Sequence, residues 1–276
     1  AVTGIENIIG SPFDDTLMGN NAANRINAFG GDDLISGRSG DDQFVFPAGA
    51  GIRGTLDGGP GTDTADFSAH TTTLAALVTG LGSTDGFAGS INGRAFDNLN
   101  ALIAGSATDD SLTGRTAAAD WNLDGVCQYR SGGRALTFAN LETLTGGAGA
   151  DNFIFTGAAR FAGDISGGLG ADSLDYSAYS GAVQVNLQAN SSTAITGTFA
   201  DLENLIGSPY ADMLMGTDAA DNFQVTGPNA GAVGAYTFTA FEHLDGVAGD
   251  DTLSFAAYTS ARDVRLTGLG AMDGFN

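Results

Sequence analysis

Four large apolar residues, Leu17, Ile26, Ile35 and Phe44, stand nine positions apart, and two residues before each lies Asp15, Asn24, Asp33 or Asp42. A period of nine fits neither an α-helix nor a heptad, but it suits a short strand followed by a tight turn. Side chains alternate between the faces of a strand, so each nonapeptide points one large apolar residue inward. Two strands and two turns then make one coil of eighteen residues. On that spacing Leu17 stacks on Ile35 along one wall and Ile26 on Phe44 along the other. Asp15 then pairs with Asp33, and Asn24 with Asp42, along the two edges.

The turn text recurs downstream. Gly58-Gly59-Pro60-Gly61-Thr62-Asp63, Gly146-Gly147-Ala148-Gly149-Ala150-Asp151, Gly167-Gly168-Leu169-Gly170-Ala171-Asp172 and Gly246-Val247-Ala248-Gly249-Asp250-Asp251 repeat one phrase. Asp212 and Asp221 repeat the nine-residue step, as do Leu214 and Phe223. A second phrase frames these turns: IENIIG at 5–10, LNALIAG at 99–105, LETLTG at 141–146, LENLIG at 202–207 and FEHLDG at 241–246. The chain's four Glu residues, Glu6, Glu142, Glu203 and Glu242, all hold one position of it, which Asn100 fills in the fifth copy. A third phrase appears as DFSAH at 66–70, DYSAY at 175–179 and SFAAY at 254–258. VTGLGSTDGF at 78–87 returns as LTGLGAMDGF at 266–275. No linker-like tract separates these phrases. The reading is one continuous solenoid over 1–276, most regular over 10–46, with interior loops near 114–135 and 224–237 where the frame lapses. Both ends look like cuts through a longer repeat, so the native protein is expected to continue past them.

These phrases resemble the GGxGxDxUx nonapeptide of the RTX (repeats-in-toxin, hemolysin-type) proteins, set within large repetitive bacterial surface proteins. The resemblance implies an all-β, right-handed parallel β-solenoid (β-roll or β-helix) with Gly/Asp-rich turns that bind Ca²⁺ through Asp side chains and turn carbonyls. Carried over residue by residue, the metal position falls on Asp15, Asn24, Asp33 and Asp42, and then on Asp63, Asp151, Asp172, Asp212, Asp221 and Asp251. Asn24 in place of Asp, and Ser11-Pro12 or Val247 in place of glycine, depart from the pattern.

The charge makes a cation plausible on physical grounds. Of 32 acidic residues 28 are Asp, the shorter carboxylate suited to turns and hard-cation sites, and all ten basic residues are Arg. Stacked strands lie about 4.8 Å apart. Carboxylates at that spacing repel by roughly 1 kcal/mol in water and about 3–4 kcal/mol at an effective dielectric of 20. Calcium, which takes 6–8 oxygen ligands, turns that repulsion into cohesion and couples folding to the metal. A solvated Asp/Asn turn ladder without metal is the alternative. The Glu positions read as corner residues that accept backbone N–H groups, with a calcium role as the alternative.

The same features exclude several functions. A net charge of −22 gives nucleic acid no basic face, and no apolar run is long enough to span a membrane. With Cys127 the only cysteine, no intrachain disulfide forms. The acids belong to the repeat rather than to a catalytic pair, and no nucleophile elbow, metalloprotease helix or P-loop occurs, so the chain reads as non-catalytic. Trp121 reads as inward-facing, Cys127 as a buried small residue, and the rings at 67, 176, 179, 255 and 258 as core or wall stacks, with a carbohydrate platform as the alternative. His70 and His243 fall in unrelated frames. The expected role is a calcium-stabilised structural segment of a secreted or cell-surface fibre, adhesin, sheath or matrix protein. Its partners would be calcium and neighbouring repeats or a further copy end to end, with surface glycans as the ligand of an adhesive variant.

Overall fold

The structure, a computed structural model, describes residues 4–258 and 261–262, and every regular element among them is a β-strand. LTGLGAMDGF at 266–275 lies outside the described residues. The chain divides into two compact units, Ala1–Asn122 with Val126–Gly149, and Leu123–Gly125 with Ala150–Asn276.

In the first unit the nonapeptides stack as their spacing predicts. Asn7–Ile9, Arg25–Asn27, Gln43–Val45, Thr64–Asp66 and Ala101–Ile103 pair in parallel along one wall. Their central residues form one inward ladder, Ile8, Ile26, Phe44, Ala65 and Leu102, which continues to Phe138. Thr16–Met18 pairs in parallel with Gly31–Ser36 on the other wall and sets Leu17 on Ile35. Ile26, Phe44 and Ile35 are at most 1% exposed. Fully burying one such side chain stabilises by about 1.5–3 kcal/mol, so the ladder is the main cohesive term. Aromatic rings add to it. Phe46 and Phe67 stack at 4.4 Å between centroids, and Trp121, fully buried as predicted, meets Tyr129 edge-on at 4.7 Å.

The expected interior loops are strands. Residues 114–135 fall largely in an antiparallel meander, Ala119–Leu123, Gln128–Ser131 and Arg134–Ala139. A second meander that the repeat frame does not suggest runs Ala75–Leu81, Phe87–Ile91 and Arg94–Leu99. Its outer strands pair in parallel with Ser111–Thr113 and with Thr55–Asp57. The chain therefore overshoots, turns back and re-enters the wall in register. The tight turns are Asn92-Gly93 (φ 49° and 75°) and Gly132-Gly133 (φ 59° and 78°). This two-residue left-handed geometry matches the twist of a β-hairpin. Cys127, at the bend that joins Ala119–Leu123 to Gln128–Ser131, is half-buried rather than buried.

The second unit repeats the plan. Asp151–Gly157, Ser173–Tyr179, Asn204–Ile206 and Tyr236–Thr239 pair in parallel and align Phe153, Leu174, Leu205 and Phe238. Gln184–Asn186, Met213–Met215 and His243–Asp245 align Val185, Leu214 and Leu244. The loop expected near 224–237 is again a meander, Asn222–Gly227, Ala230–Val233 and Tyr236–Thr239. The recurring F/Y-S/A-A-H/Y phrase brings two rings together, across a turn at 67–70 and 255–258 and along the strand Ser173–Tyr179 in the middle copy. Phe67 meets His70 at 5.1 Å, Tyr176 meets Tyr179 at 5.8 Å, and Phe255 meets Tyr258 at 5.9 Å.

Candidate metal centre

A carboxylate ladder runs along the turn edges and is built from backbone donors. Asp15 N–H donates to Asp33 Oδ1 (2.8 Å), Asn24 N–H to Asp42 Oδ1 (2.7 Å) and Asp42 N–H to Asp63 Oδ1 (2.9 Å). Asp151 N–H donates to Asp172 Oδ1 (2.7 Å), Val183 N–H to Asp212 Oδ1 (2.6 Å) and Asp221 N–H to Asp251 Oδ1 (3.0 Å). All ten predicted positions therefore take part in such a coil-to-coil bond, Asp33 and Asp151 from within strands and the others from the residues just before them. The carboxylates of Asp33, Asp42, Asp63, Asp172, Asp212 and Asp251 satisfy backbone groups that the turns would otherwise bury unpaired.

The Glu phrase forms the same joint at a tighter corner. Asn98, Asn140, Asp201 and Ala240 adopt left-handed backbone, with φ between 51° and 58°, two residues before Asn100, Glu142, Glu203 and Glu242. The longer side chain then reaches back one coil. Asp110 N–H donates to Glu142 Oε2 (3.0 Å), Asp172 N–H to Glu203 Oε2 (2.7 Å) and Asp212 N–H to Glu242 Oε2 (2.9 Å). Asn100 Oδ1 receives Asp63 N–H (3.0 Å) in the fifth copy. The corner role expected of these residues is what the geometry displays.

The second carboxylate oxygen separates the turns into two kinds. In the first kind a polar residue follows the leading glycine, and its amide closes the turn. Ser11 N–H donates to Asp15 Oδ2 (2.5 Å), Asn20 N–H to Asn24 Oδ1 (2.7 Å) and Thr217 N–H to Asp221 Oδ2 (2.6 Å). Ser208 N–H donates to Asp212 Oδ2, and its hydroxyl to Oδ1 (2.8 Å). In the second kind the residue at that place, which follows Ala28 in the Asp33 turn and glycine in the others, is left-handed: Phe29 (φ 68°), Arg38 (78°), Gly59 (87°), Gly168 (90°) and Val247 (73°). Its amide turns away. Phe29 N–H goes to Asn27 Oδ1, Gly59 N–H to Asp57 Oδ1 and Val247 N–H to Asp245 Oδ1. Oδ2 of Asp33, Asp42, Asp63 and Asp172 is consequently buried with no hydrogen-bond donor.

Buried carboxylates whose second oxygen lacks a donor hold protons more tightly. Burial pushes Asp42 up to about 6 and Asp63 up to about 7, with neighbouring acids adding to both. Asp33 and Asp172 shift the same way, again mainly through burial. A divalent cation would relieve this strain, since the free groups are hard oxygens and turn carbonyls lie beside them. A Cβ on Gly58 would sit 2.5 Å from Asp63 Oδ2 and would also strike Asn98 O. The leading glycine thus keeps open a pocket where a carboxylate and a carbonyl of the next coil converge. Among the described residues no three Asp, Glu, His or Cys side chains close into a ready cluster, so carbonyls must complete any shell.

Sequence reasoning missed two members of this network. Asp110, fully buried, accepts Leu74 N–H (2.6 Å) and Gly105 N–H (3.1 Å), and its signal was the same five-residue step from Gly105. Asp85 Oδ2 receives Gly61 N–H (2.8 Å), but Asp85 arrives from a meander outside the repeat frame. His70 and His243 do not join the ladder; His70 packs against Phe67 and His243 is exposed.

Against known proteins, no curated protein matches the chain. Residues 9–44 match the family model of the RTX calcium-binding nonapeptide repeat, in four copies, which covers the stretch where Asp33 and Asp42 stand on the ladder.

Proposed function

We propose that this chain is a calcium-stabilised, non-catalytic structural segment of a secreted or cell-surface fibre, adhesin, sheath or matrix protein. Its coils would form one continuous solenoid joined to further repeats or to another copy end to end. The observation that carries this reading is the set of buried, donorless carboxylate oxygens at Asp33, Asp42, Asp63 and Asp172, in a chain whose residues 9–44 match a calcium-binding repeat. Structural calcium suits an exterior setting, where it is abundant at about the millimolar affinities of extracellular modules. No helix among the described residues is long and apolar enough to cross a membrane.

The reading is tested by far-UV circular dichroism and thermal melts in about 1 mM calcium and in EDTA. Calcium is expected to raise the melting temperature by well over 10 °C. Superimposable melts reject the role. Electron microscopy of the full-length protein checks the rod.

A second reading, a carbohydrate-binding module on the same scaffold, draws on one feature. Gln184, Asn186, Ser191, Ser192, Thr193 and Met215 line an open depression of about 330 Å³ in the second unit. Its amides and hydroxyls suit sugar hydroxyls. The ring stacks Phe46–Phe67 and Phe155–Tyr176 are buried and offer a sugar no platform, so this reading ranks second. A glycan array that stays blank disposes of it.

A further inference from the structure

The two turn edges of the N-terminal run differ in the charge they leave uncompensated. A regular nonapeptide pattern would load both edges alike. Asp15 and Asp33 occupy one edge; Asn24, Asp42 and Asp63 occupy the other.

Resting on the calcium reading above, we propose that within residues 10–63 calcium binds at one edge only, between the stacked turns 37–42 and 58–63, and that the opposite edge closes without metal.

The first edge leaves less charge uncompensated. Asp15 gives Oδ2 to the amide of Ser11 at 2.5 Å, so that carboxylate is engaged within its own turn. Asp33 retains one donorless oxygen, but the residue stacked on it is Ile52, which brings no second carboxylate. Two guanidinium groups serve the rim of this edge. Arg53 lies 3.9 Å from Asp14 and donates to the Asp15 carbonyl at 3.0 Å, and Arg94 lies 3.7 Å from Asp32.

The second edge has the opposite balance. Asp42 and Asp63 are successive rungs, at most 1% exposed, and Oδ2 of each lacks a donor. Asp85 adds a third such oxygen, its Oδ1, while its Oδ2 is held by Gly61 N–H at 2.8 Å. Asp41 lies beside them; among the described residues no arginine forms an ion pair at this edge, and Arg134 donates instead to the carbonyls of Gly82, Thr84 and Gly86 around Asp85. Backbone oxygens are at hand here, as they are at Gly10 on the first edge. A Cβ at Gly37 would overlap Asp42 Oδ2 and lie 2.7 Å from the Gly58 carbonyl, and a Cβ at Gly58 would strike the Asn98 carbonyl. The Asp42 and Asp63 oxygens with these carbonyls meet the need of a hard cation for several oxygen ligands, and Asp85 stands beside them without closing a three-carboxylate cluster. The rung below is Asn24, whose Oδ1 accepts the amide of Asn20, so the metal-requiring part of the edge begins at Asp42. A neutral amide is tolerated at that rung because the turn is closed by its own backbone.

Isothermal titration of the 276-residue chain with calcium, from metal-free buffer, counts the ions. Asp42→Asn and Asp63→Asn are each expected to lower the count by one, whereas Asp15→Asn leaves it unchanged. Asp85→Asn, at a half-buried site, is expected to weaken the affected site at least fivefold while circular dichroism in saturating calcium stays native. Equal ion loss from Asp15→Asn and Asp63→Asn overturns the one-edge assignment, as does full affinity in Asp85→Asn. A wild-type chain that takes up no calcium defeats the calcium reading itself, a result distinct from uptake along both edges.

Discussion

Asp63 receives the amide of Asp42 on Oδ1 at 2.9 Å while its Oδ2 lies buried without a donor. One side chain therefore does two jobs. It satisfies a backbone group of the neighbouring coil, and it carries a charge that nothing in the protein offsets. The same division holds for Asp172, which receives Asp151 N–H on Oδ1.

The metal-free fold should prefer acid. Asp42 rises to about 6 and Asp63 to about 7 from the ordinary 3.8 of an aspartate. A carboxyl whose pKa is higher folded than unfolded binds more protons when folded, so its stability contribution is complete below about 4 and is lost as pH climbs through 6 and 7. In EDTA the melting temperature is therefore expected to be higher at pH 5 than at pH 8. The increment from calcium should run the other way, small at pH 5 and large at pH 8. A calcium increment independent of pH would contradict the burial of these groups.

The turn closed by Ser208 should be indifferent to calcium. Asp212→Ala removes the acceptor for Val183 N–H, Ser208 N–H and the Ser208 hydroxyl. Leaving buried amides unpaired costs about 2–4 kcal/mol in all. Urea unfolding should register that loss equally in calcium and in EDTA.

Two glycines with nearly the same backbone separate conformation from space. Gly49 has φ 88° with nothing within 4 Å of an added Cβ, whereas a Cβ on Gly59, at φ 87°, would run into the Arg38 carbonyl. Gly49→Ala should cost about 1–2 kcal/mol, the penalty of left-handed backbone alone. Gly59→Ala adds a backbone clash between stacked turns and should cost more than about 3 kcal/mol, a size reserved for a few named mechanisms. Chemical denaturation of both variants gives the comparison.

The Glu corner predicts a rescue. Glu142 Oε2 accepts Asp110 N–H at 3.0 Å. Glu142→Ala leaves that amide unpaired and should lose about 1–3 kcal/mol, while Glu142→Gln keeps an acceptor and should recover most of it. Equal loss in both variants would mean that charge, not the hydrogen bond, matters there.

Much of this architecture can be read from spacing alone. The nine-residue step places Leu17 on Ile35 and Ile26 on Phe44, because strand alternation and coil closure leave few other solutions. The meanders are harder to see, since they interrupt the frame. Their signals were nevertheless present as Asn92-Gly93 and Gly132-Gly133, pairs able to adopt two successive left-handed residues. Leu253 keeps the spacing of an inward residue yet is 51% exposed, in Thr252–Ser254, the last strand among the described residues. The two kinds of turn hinge on Ser11, Asn20, Ser208 and Thr217 as against Phe29, Arg38 and Gly59. Those letters are visible, but their meaning depends on which way one amide points, and that emerges only from the folded backbone.

The meanders also uncouple two lengths that a plain coil would tie together. The overshooting strands of Ala75–Leu81, Phe87–Ile91 and Arg94–Leu99 widen one wall, yet Ala101–Ile103 returns in register on Thr64–Asp66. Extra sequence at a hairpin tip such as Asn92-Gly93 would leave that register untouched, because a Cβ on Gly93 meets nothing within 4 Å. The tips are thus natural ports for grafting foreign loops, where a scaffold of this kind can gain new cargo without being redesigned.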